Sequence, residues 1–179
     1  MYGGFLVLSC LAYLGLLQLT GNFHTVIAGE LYRSAQPSAH AIAEYRERYG
    51  IRTIVNLRGE SDSAWYTDEM STAARLGITH IDFPMSASRQ VSLEQADALV
   101  ATLRNAPKPI LIHCKAGADR TGLAIVIYLQ QLAGVDEEAA EWQLSPLFGH
   151  VGIPWLSPTY AMDESWESLE ETYVYAANR

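Results

Sequence analysis

The sequence contains few cysteines and few lysines. Two of its 179 residues are cysteines, Cys10 and Cys114, which excludes a disulfide-stapled scaffold and a relay among several thiols. The only lysines are Lys108 and Lys115. The five histidines show no spacing typical of metal ligands, so the residues themselves indicate no metal site.

Positive charge is scarce as well. Twelve basic residues against 20 acidic ones give a net charge of −8, and the acidic excess lies entirely in residues 136–179. Residues 1–135 are balanced and form no long basic face, so nucleic acid is excluded as a partner. The 49% of hydrophobic residues suffices for one globular domain plus a small appendage.

Charge is missing altogether from Tyr2 to Leu19, a strongly apolar stretch interrupted mainly by Ser9 and Gln18. Eighteen helical residues at about 1.5 Å each span roughly 27 Å, close to the hydrocarbon thickness of a bilayer. A core helix is the alternative, but such a helix normally carries a polar stripe. The pattern predicts that residues 1–21 form a membrane anchor or signal-like segment.

Short β-type runs alternate with helical stretches in the body of the chain. Residues 51–57, 78–83 and 110–113 are typical of strands. The alternation predicts an α/β fold with a mostly parallel sheet that helices cover on both faces. Ligands bind such sheets at the carboxyl ends of strands, where a loop meets a helix N-terminus. That rule points to residues 113–121.

The residues there are His113-Cys114-Lys115-Ala116-Gly117-Ala118-Asp119-Arg120-Thr121. An arginine at a helix N-terminus is poorly placed unless an anion lies beside it, because the helix dipole and the free amides favour negative charge. We therefore expect the amides of residues 115–120 to surround a tetrahedral oxyanion, with Arg120 holding two of its oxygens. The expected phosphate-binding residues are Lys115, Ala116, Gly117, Ala118 and Thr121.

The helix dipole, the free amides and Arg120 act on Cys114 as well. Helix N-termini and neighbouring cations favour the thiolate, which would make Cys114 a nucleophile at the bottom of a phosphate-sized cradle. Thr121 is expected to donate its hydroxyl to the sulfur when the sulfur becomes the leaving group. A lone cysteine after an apolar strand is ordinarily an inert core residue, but its spacing to a glycine, an arginine and a threonine favours the catalytic interpretation.

The pattern His-Cys-x-x-Gly-x-x-Arg-Thr resembles the signature of the cysteine-dependent protein tyrosine and dual-specificity phosphatases. Residues 31–37 and 51–60 also resemble compact bacterial members, so the likeness covers roughly residues 25–150. It implies a phosphatase-type (CX5R) fold with a four- or five-stranded sheet flanked by helices. It further implies a phosphocysteine intermediate on Cys114, and no metal or other cofactor.

The family also needs a general acid, usually an Asp on a loop about thirty residues before the cysteine. Asp82 has that spacing but falls inside a predicted strand, and the following loop, residues 84–91, contains no carboxylate. In some bacterial members of the family the acid is an aspartate of the cradle itself, and the resemblance implies that this residue is Asp119 here. A bound dianion would help Asp119 to keep its proton. Asp119 is therefore the expected acid, and Asp82 is the alternative. If it is not catalytic, Asp119 is expected to brace the loop through a hydrogen bond. Asp82 in that case is expected to be a buried structural carboxylate.

These observations predict a phosphomonoester hydrolase of the protein tyrosine or dual-specificity type, with phosphotyrosine in proteins as the expected substrate and phosphoserine or phosphothreonine as further candidates. An inositol phosphate or phosphoinositide phosphatase is an alternative that Lys115 favours, although two lysines are few for a heavily phosphorylated ring. A third is a module that binds phosphate without turnover. Arg58 and Arg89 are weaker candidates for substrate contact.

The sequence predicts three parts: the N-terminal segment 1–21, a catalytic domain at 22–158, and an acidic C-terminal helix at 159–179 that packs on the domain. The protein is expected to be membrane-anchored or exported. By analogy with bacterial relatives, the favoured location is the inner membrane with the catalytic domain in the periplasm. The oligomeric state is left open.

Overall fold

The structure of the chain is a computed structural model that describes the backbone of residues 2–177 and the side chains of residues 8 and 12–173. Its helices are α1 (Tyr2–Leu19), α2 (Ala39–Tyr49), α3 (Ala64–Arg75), α4 (Leu93–Asn105), α5 (Asp119–Gln131), α6 (Glu137–Glu141) and α7 (Ala161–Ala177). Its strands are β1 (His24–Ile27), β2 (Leu31–Ser34), β3 (Thr53–Asn56), β4 (Thr79–Asp82) and β5 (Ile110–His113). Short 3₁₀ turns lie at Pro146–Phe148 and Pro158–Tyr160.

The strands form one sheet in the order β1-β2-β5-β3-β4. Only the β1–β2 pair is antiparallel, while β5 pairs in parallel with both β2 and β3. Ser34 and Asn56 are the register partners of His113, so three strands end together at the centre of the sheet. The predicted mostly parallel sheet flanked by helices is confirmed.

The central strand separates two cores. Ile110 and Ile112 point into a large cluster formed with α4, α5 and α7, whereas Leu111 points into a smaller one with α2 and α3. Helix α5 is buried at every residue of Thr121–Leu129, which explains its almost wholly apolar sequence. A Cβ at Gly122 would come within 2.8 Å of Leu144, so glycine lets α5 approach the segment after α6 closely.

Helix α1 ends against the domain. Leu17 is only 6% exposed, and the Tyr13 hydroxyl donates to the Leu147 carbonyl oxygen at 2.7 Å. In the part of the chain that the structure describes, no helix is long and apolar enough to cross a membrane. The predicted membrane anchor, and with it the predicted inner-membrane and periplasmic location, is therefore wrong. The apolar side chain of Leu17 is buried by contact with the protein body itself.

Helix α7 should contribute strongly to stability through Trp166, which is 1% exposed within the large core. Trp166→Ala is expected to lower the free energy of unfolding by about 3–5 kcal/mol, because it removes a buried aromatic side chain and leaves a cavity. The matched control is Trp155→Ala at a fully exposed tryptophan, with an expected change within about 0.5 kcal/mol. Urea unfolding measures both; equal effects would contradict the packing described here.

Candidate active site

The loop between β5 and α5, residues 114–118, directs its carbonyl groups away from its centre. The carbonyl oxygen of Lys115 accepts a hydrogen bond from the Gln36 amide at 3.2 Å. The next carbonyl oxygen, of Ala116, accepts from Nδ2 of Asn22 at 2.9 Å. Both donors lie outside the loop, on the segments that flank β1 and β2.

Arg33 completes this outer ring of donors from β2. Its Nη2 donates to the carbonyl oxygen of Gly117 at 2.8 Å, and its Nη1 donates to the carbonyl oxygen of Gln143 at 2.8 Å. The guanidinium lies over the Phe148 ring, 4.1 Å from its centroid. Arg33 is 0% exposed. Because it is buried and bonded to a carbonyl oxygen on the outer side of the loop, it fixes the shape of the loop.

The amides of the loop face the opposite way. A planar trans peptide points its C=O and N–H in opposite directions, so the outward carbonyls of residues 115–118 turn the amides of residues 116–119 inward. Among the described residues, none of the amides of 115–121 donates a hydrogen bond. Successive amides aimed at one centre, at the start of a helix, form an anion-binding concavity.

Gly117 is the residue that makes this curvature possible. Its φ is 71°, in the left-handed region that favours glycine. A Cβ at this position would lie 2.5 Å from the Ala35 nitrogen and 2.6 Å from the Ser34 carbonyl oxygen. Backbone atoms cannot yield as a flexible side chain can, so any larger residue would push the loop away from β2.

Cys114 and Arg120 lie at the two ends of this loop. Cys114 directly follows β5 and is 1% exposed. Arg120 lies in the first turn of α5, and its Nη1 donates to the carbonyl oxygens of Leu57 at 3.2 Å and Met85 at 3.3 Å. These bonds orient the guanidinium from the ends of β3 and β4. The Oγ1 of Thr121 is buried without a hydrogen-bond partner in the described part of the protein.

A buried charged cluster supports the loop from the other side. Oε1 of Glu69 contacts Nε2 of His113 at 3.1 Å and Nε2 of His80 at 2.7 Å. Burial opposes the ionised carboxylate, yet hydrogen bonds and charge interactions with the two histidines outweigh burial and lower the pKa of Glu69 to about 2. Glu69 therefore stays ionised and holds the histidine that precedes Cys114.

Sequence reasoning missed Arg33 and Glu69 as supports of the site. Arg33 lies within a segment that carries the family resemblance, which was a usable signal, whereas nothing in the spacing of Glu69 distinguishes it from the other acids. Burial is the main reason that the pKa of Arg33 falls to about 9, and the nearby Cys114 acts in the opposite direction.

The structure separates the two candidate acids. Asp82 ends β4, where its Oδ1 accepts from Nδ2 of Asn56 at 2.7 Å and its Oδ2 accepts from the Tyr66 hydroxyl at 2.6 Å. The bond to Asp82 is the main cause that raises the pKa of Tyr66 to about 12. Both carboxyl oxygens of Asp82 are thus engaged at the end of the sheet, which favours the structural alternative for this residue.

Asp119 is held by one oxygen only. Its Oδ1 lies 2.8 Å from Nδ1 of His150, while its Oδ2 makes no hydrogen bond within the described residues. The side chain is 21% exposed and belongs to the first turn of α5. Asp119 therefore combines the position expected of an acid with the bracing hydrogen bond expected of a structural residue.

Arg58 lies beside the loop, but Arg89 does not contact it in any described hydrogen bond. Leu57 donates its amide to the His113 carbonyl oxygen at 2.9 Å, which brings the following residue, Arg58, to the edge of the cradle. The Arg58 guanidinium stacks 3.6 Å from the Trp65 ring centroid and donates to Oε1 of Gln36 at 2.8 Å.

A cysteine after the central strand, a ring of inward amides and an arginine on the next helix together define a site of the cysteine-phosphatase class. Residues 22–147 match the family model described as "DSP-PTPase phosphatase fused to NAD+ Kinase". The chain belongs to this DSP-PTPase family, which confirms the resemblance seen in the sequence.

The chain is similar in sequence to two characterised phosphatases. It is 32% identical over 112 residues to the dual specificity protein phosphatase TpbA of Pseudomonas aeruginosa, an alignment that covers 62% of this chain and 47% of TpbA. It is 31% identical over 133 residues to the inositol diphosphatase SIW14 of Saccharomyces cerevisiae, covering 71% of this chain and 43% of that relative. The chain thus spans less than half the length of either relative.

Solved structures share the fold. The crystal structure of P. aeruginosa TpbA superimposes with a TM-score of 0.61 at 26% identity, covering 83% of this chain and 85% of that one. A cysteine-to-serine variant of TpbA in complex with phosphotyrosine gives a TM-score of 0.60 at 25% identity, covering 82% and 83%.

The loop should require glycine at position 117 because of the close contact with β2, and not merely because the residue has a positive φ. Gly117→Ala is expected to abolish detectable tungstate binding, because the clash with β2 displaces the amides. Gly134→Ala is the matched control, since Gly134 also has a positive φ of 65° but a Cβ there meets nothing within 4 Å. Both variants carry left-handed strain of about 1–2 kcal/mol, so only Gly117→Ala should lose tungstate in calorimetry. Equal binding by the two variants would contradict this account.

Proposed function

We propose that the chain is a cysteine-dependent phosphomonoester hydrolase that works through a phosphocysteine intermediate on Cys114. The observation that carries the proposal is the loop whose amides turn inward between Cys114 and Arg120. The amides bind the equatorial phosphate oxygens and the guanidinium binds two of them bidentately. The same positive field stabilises the thiolate that attacks phosphorus.

The reaction proceeds in two displacements. The Cys114 sulfur forms a bond to phosphorus while the bond to the leaving oxygen breaks, and Asp119 gives that oxygen a proton. Water then attacks the phosphocysteine, Asp119 takes a proton from the water, and the P–S bond breaks. The buried Thr121 hydroxyl donates to the departing sulfur. The products are the dephosphorylated hydroxyl compound and inorganic phosphate.

Phosphotyrosine in proteins is the proposed substrate. The 1% exposure of Cys114 favours a long aryl phosphate, whose phosphorus reaches a recessed sulfur, over the short side chain of phosphoserine. The complex of a TpbA variant with phosphotyrosine supports the same choice by similarity.

An inositol diphosphate or inositol phosphate is the second candidate, which the likeness to the yeast inositol diphosphatase supports. Lys115 is exposed, and the Arg58 guanidinium meets only the neutral Gln36 amide in the described hydrogen bonds. Both are available to a second phosphate. Turnover of a phosphotyrosine peptide and of inositol phosphates, measured side by side, separates the candidates through their kcat/KM values.

The proposed catalytic domain is residues 22–158, with helix α7 as a separate element that packs on it. This division places all of the proposed catalytic groups, Cys114, Asp119 and Arg120, in one unit. Helix α7 then lies outside the unit that carries the proposed catalytic groups.

Cys114→Ser should separate an enzyme from a module that only binds phosphate. We expect it to lower turnover of p-nitrophenyl phosphate by at least about 10³-fold, because the nucleophile is lost. Tungstate binding should persist, since the amides and Arg120 remain. Cys10→Ser, at the only other cysteine, serves as the control and should leave turnover unchanged. An active Cys114→Ser variant would refute the phosphocysteine intermediate.

The general acid is tested by Asp119→Asn against Asp82→Asn. On aryl phosphates with poor leaving groups, Asp119→Asn should reduce kcat by about 100-fold, and the loss should shrink as the leaving group improves. Asp82→Asn should show no such dependence, because both of its oxygens are bound at the sheet. The slope of log kcat against leaving-group pKa is the readout. A steeper slope for Asp82→Asn alone would reverse the assignment.

A further inference from the structure

A buried histidine connects the loop to the C-terminal helix. His150 is 2% exposed and lies just after the 3₁₀ turn Pro146–Phe148. Its Nδ1 is 2.8 Å from Oδ1 of Asp119, and its Nε2 is 2.9 Å from Oδ2 of Asp163 in the first turn of α7. The ring is thus bound at both nitrogens by carboxylates from two different helices.

The arrangement is held in place by close packing. A Cβ at Gly152 would overlap the Asp163 carboxyl group, so the chain after His150 lies directly against that side chain. The His150 amide donates to the Ser145 carbonyl oxygen at 3.1 Å, which anchors the backbone. The imidazole therefore has little freedom to leave either partner.

Electrostatics favour a protonated ring. Burial on its own opposes the charged form, but hydrogen bonds with Asp119 and Asp163 outweigh it and raise the pKa of His150. Asp119 faces the ring from α5 and Asp163 from α7. Glu141 of α6 is close enough for its charge to interact with that of Asp163. In the protonated form both ring nitrogens donate, one to each carboxylate.

We propose that His150 is a positioning residue for Asp119, and that Asp163 in turn holds His150. This inference rests on the proposed function. With Oδ1 of Asp119 accepting from Nδ1–H, the other oxygen, Oδ2, is the one presented to substrate. Oδ2 gives its proton to the leaving oxygen, and the resulting carboxylate remains bound to Nδ1–H. In the second displacement Oδ2 takes the proton from water, which restores the starting state.

A purely structural role would give a different set of results. If the His150 bridge only pinned α7 to the domain, its loss would lower stability and leave the chemistry of the folded fraction unchanged. A positioning role instead alters kcat on substrates that need protonation of the leaving group. It leaves KM nearly unchanged, since Arg120 and the amides bind the phosphate.

Two variants test the two nitrogens separately. Asn places its amide nitrogen near the position of Nδ1, and Gln places its own near the position of Nε2. His150→Asn should keep a donor for Asp119, whereas His150→Gln should keep only the contact with Asp163. On aryl phosphates with poor leaving groups we expect kcat to fall by about tenfold or more in His150→Gln and markedly less in His150→Asn. The midpoints of thermal unfolding of both variants show whether a loss of kcat is instead a loss of folded protein.

The pH profile is the second readout. The wild type should lose kcat on poor leaving groups as pH rises through the raised pKa of His150, because the hydrogen-bonded pair of His150 and Asp119 then loses the last proton that it could pass to the leaving oxygen. Asp163→Asn removes a carboxylate that raises that pKa, so the alkaline limb should move to lower pH. The same variant should leave KM within about twofold, because Asp163 does not touch the phosphate site.

The outcomes distinguish this inference from the proposed function. If Cys114→Ser remains active, or if Asp119→Asn shows no leaving-group dependence, the proposed chemistry fails. If Asp119→Asn is impaired while His150→Gln matches the wild type in kcat and in pH profile, the proposed function stands and the role of His150 is refuted. Equal loss of kcat in His150→Asn and His150→Gln would also refute it, because the bond from Nδ1 would then be irrelevant.

Discussion

The site depends on one constraint: the carbonyl oxygens of residues 115–118 are bound by donors that lie outside the loop. Asn22, Arg33 and Gln36 supply three of these donors from the segments around β1 and β2. Because peptide groups are rigid, satisfying the carbonyls outside determines that the amides face inside. The anion site is therefore a consequence of how residues 22–36 pack on the loop as much as of the loop sequence.

Two of the side chains that support the site carry buried charge, which the constraint on the carbonyl groups does not itself require. A neutral donor would satisfy a carbonyl oxygen equally well, yet β2 supplies the guanidinium of Arg33, with the Phe148 ring against it. On the opposite side Glu69 remains ionised between His113 and His80. Burying single charges costs several kcal/mol unless they are hydrogen-bonded, and each of these groups is. A cationic guanidinium therefore supports the loop, and an ionised carboxylate supports the histidine that precedes Cys114.

Local sequence patterns predict what depends on neighbouring residues. They predict Ile110–His113 as a strand with its observed bounds, and they direct the search for a site to the following loop because strand, glycine and arginine lie within eleven residues. Contacts between distant segments escape them: Asn22 reaches Ala116 across 94 positions, and Arg33 reaches Gly117 across 84. The membrane prediction failed for the same reason, since a hydropathy pattern does not reveal that Leu17 packs on the body of the protein.

The location of the proposed acid has a consequence for dynamics. An acid carried on a mobile loop reaches its substrate only after the loop closes, whereas Asp119 belongs to the first turn of a buried helix and is already braced by His150. The segment that would carry the usual acid ends at Val91, whose amide donates to Oγ of Ser165 on α7 at 2.9 Å. Helix α7 therefore fixes both the end of that loop and, through Asp163, the histidine behind Asp119. Catalysis by such a site does not require loop closure to bring the acid to the substrate.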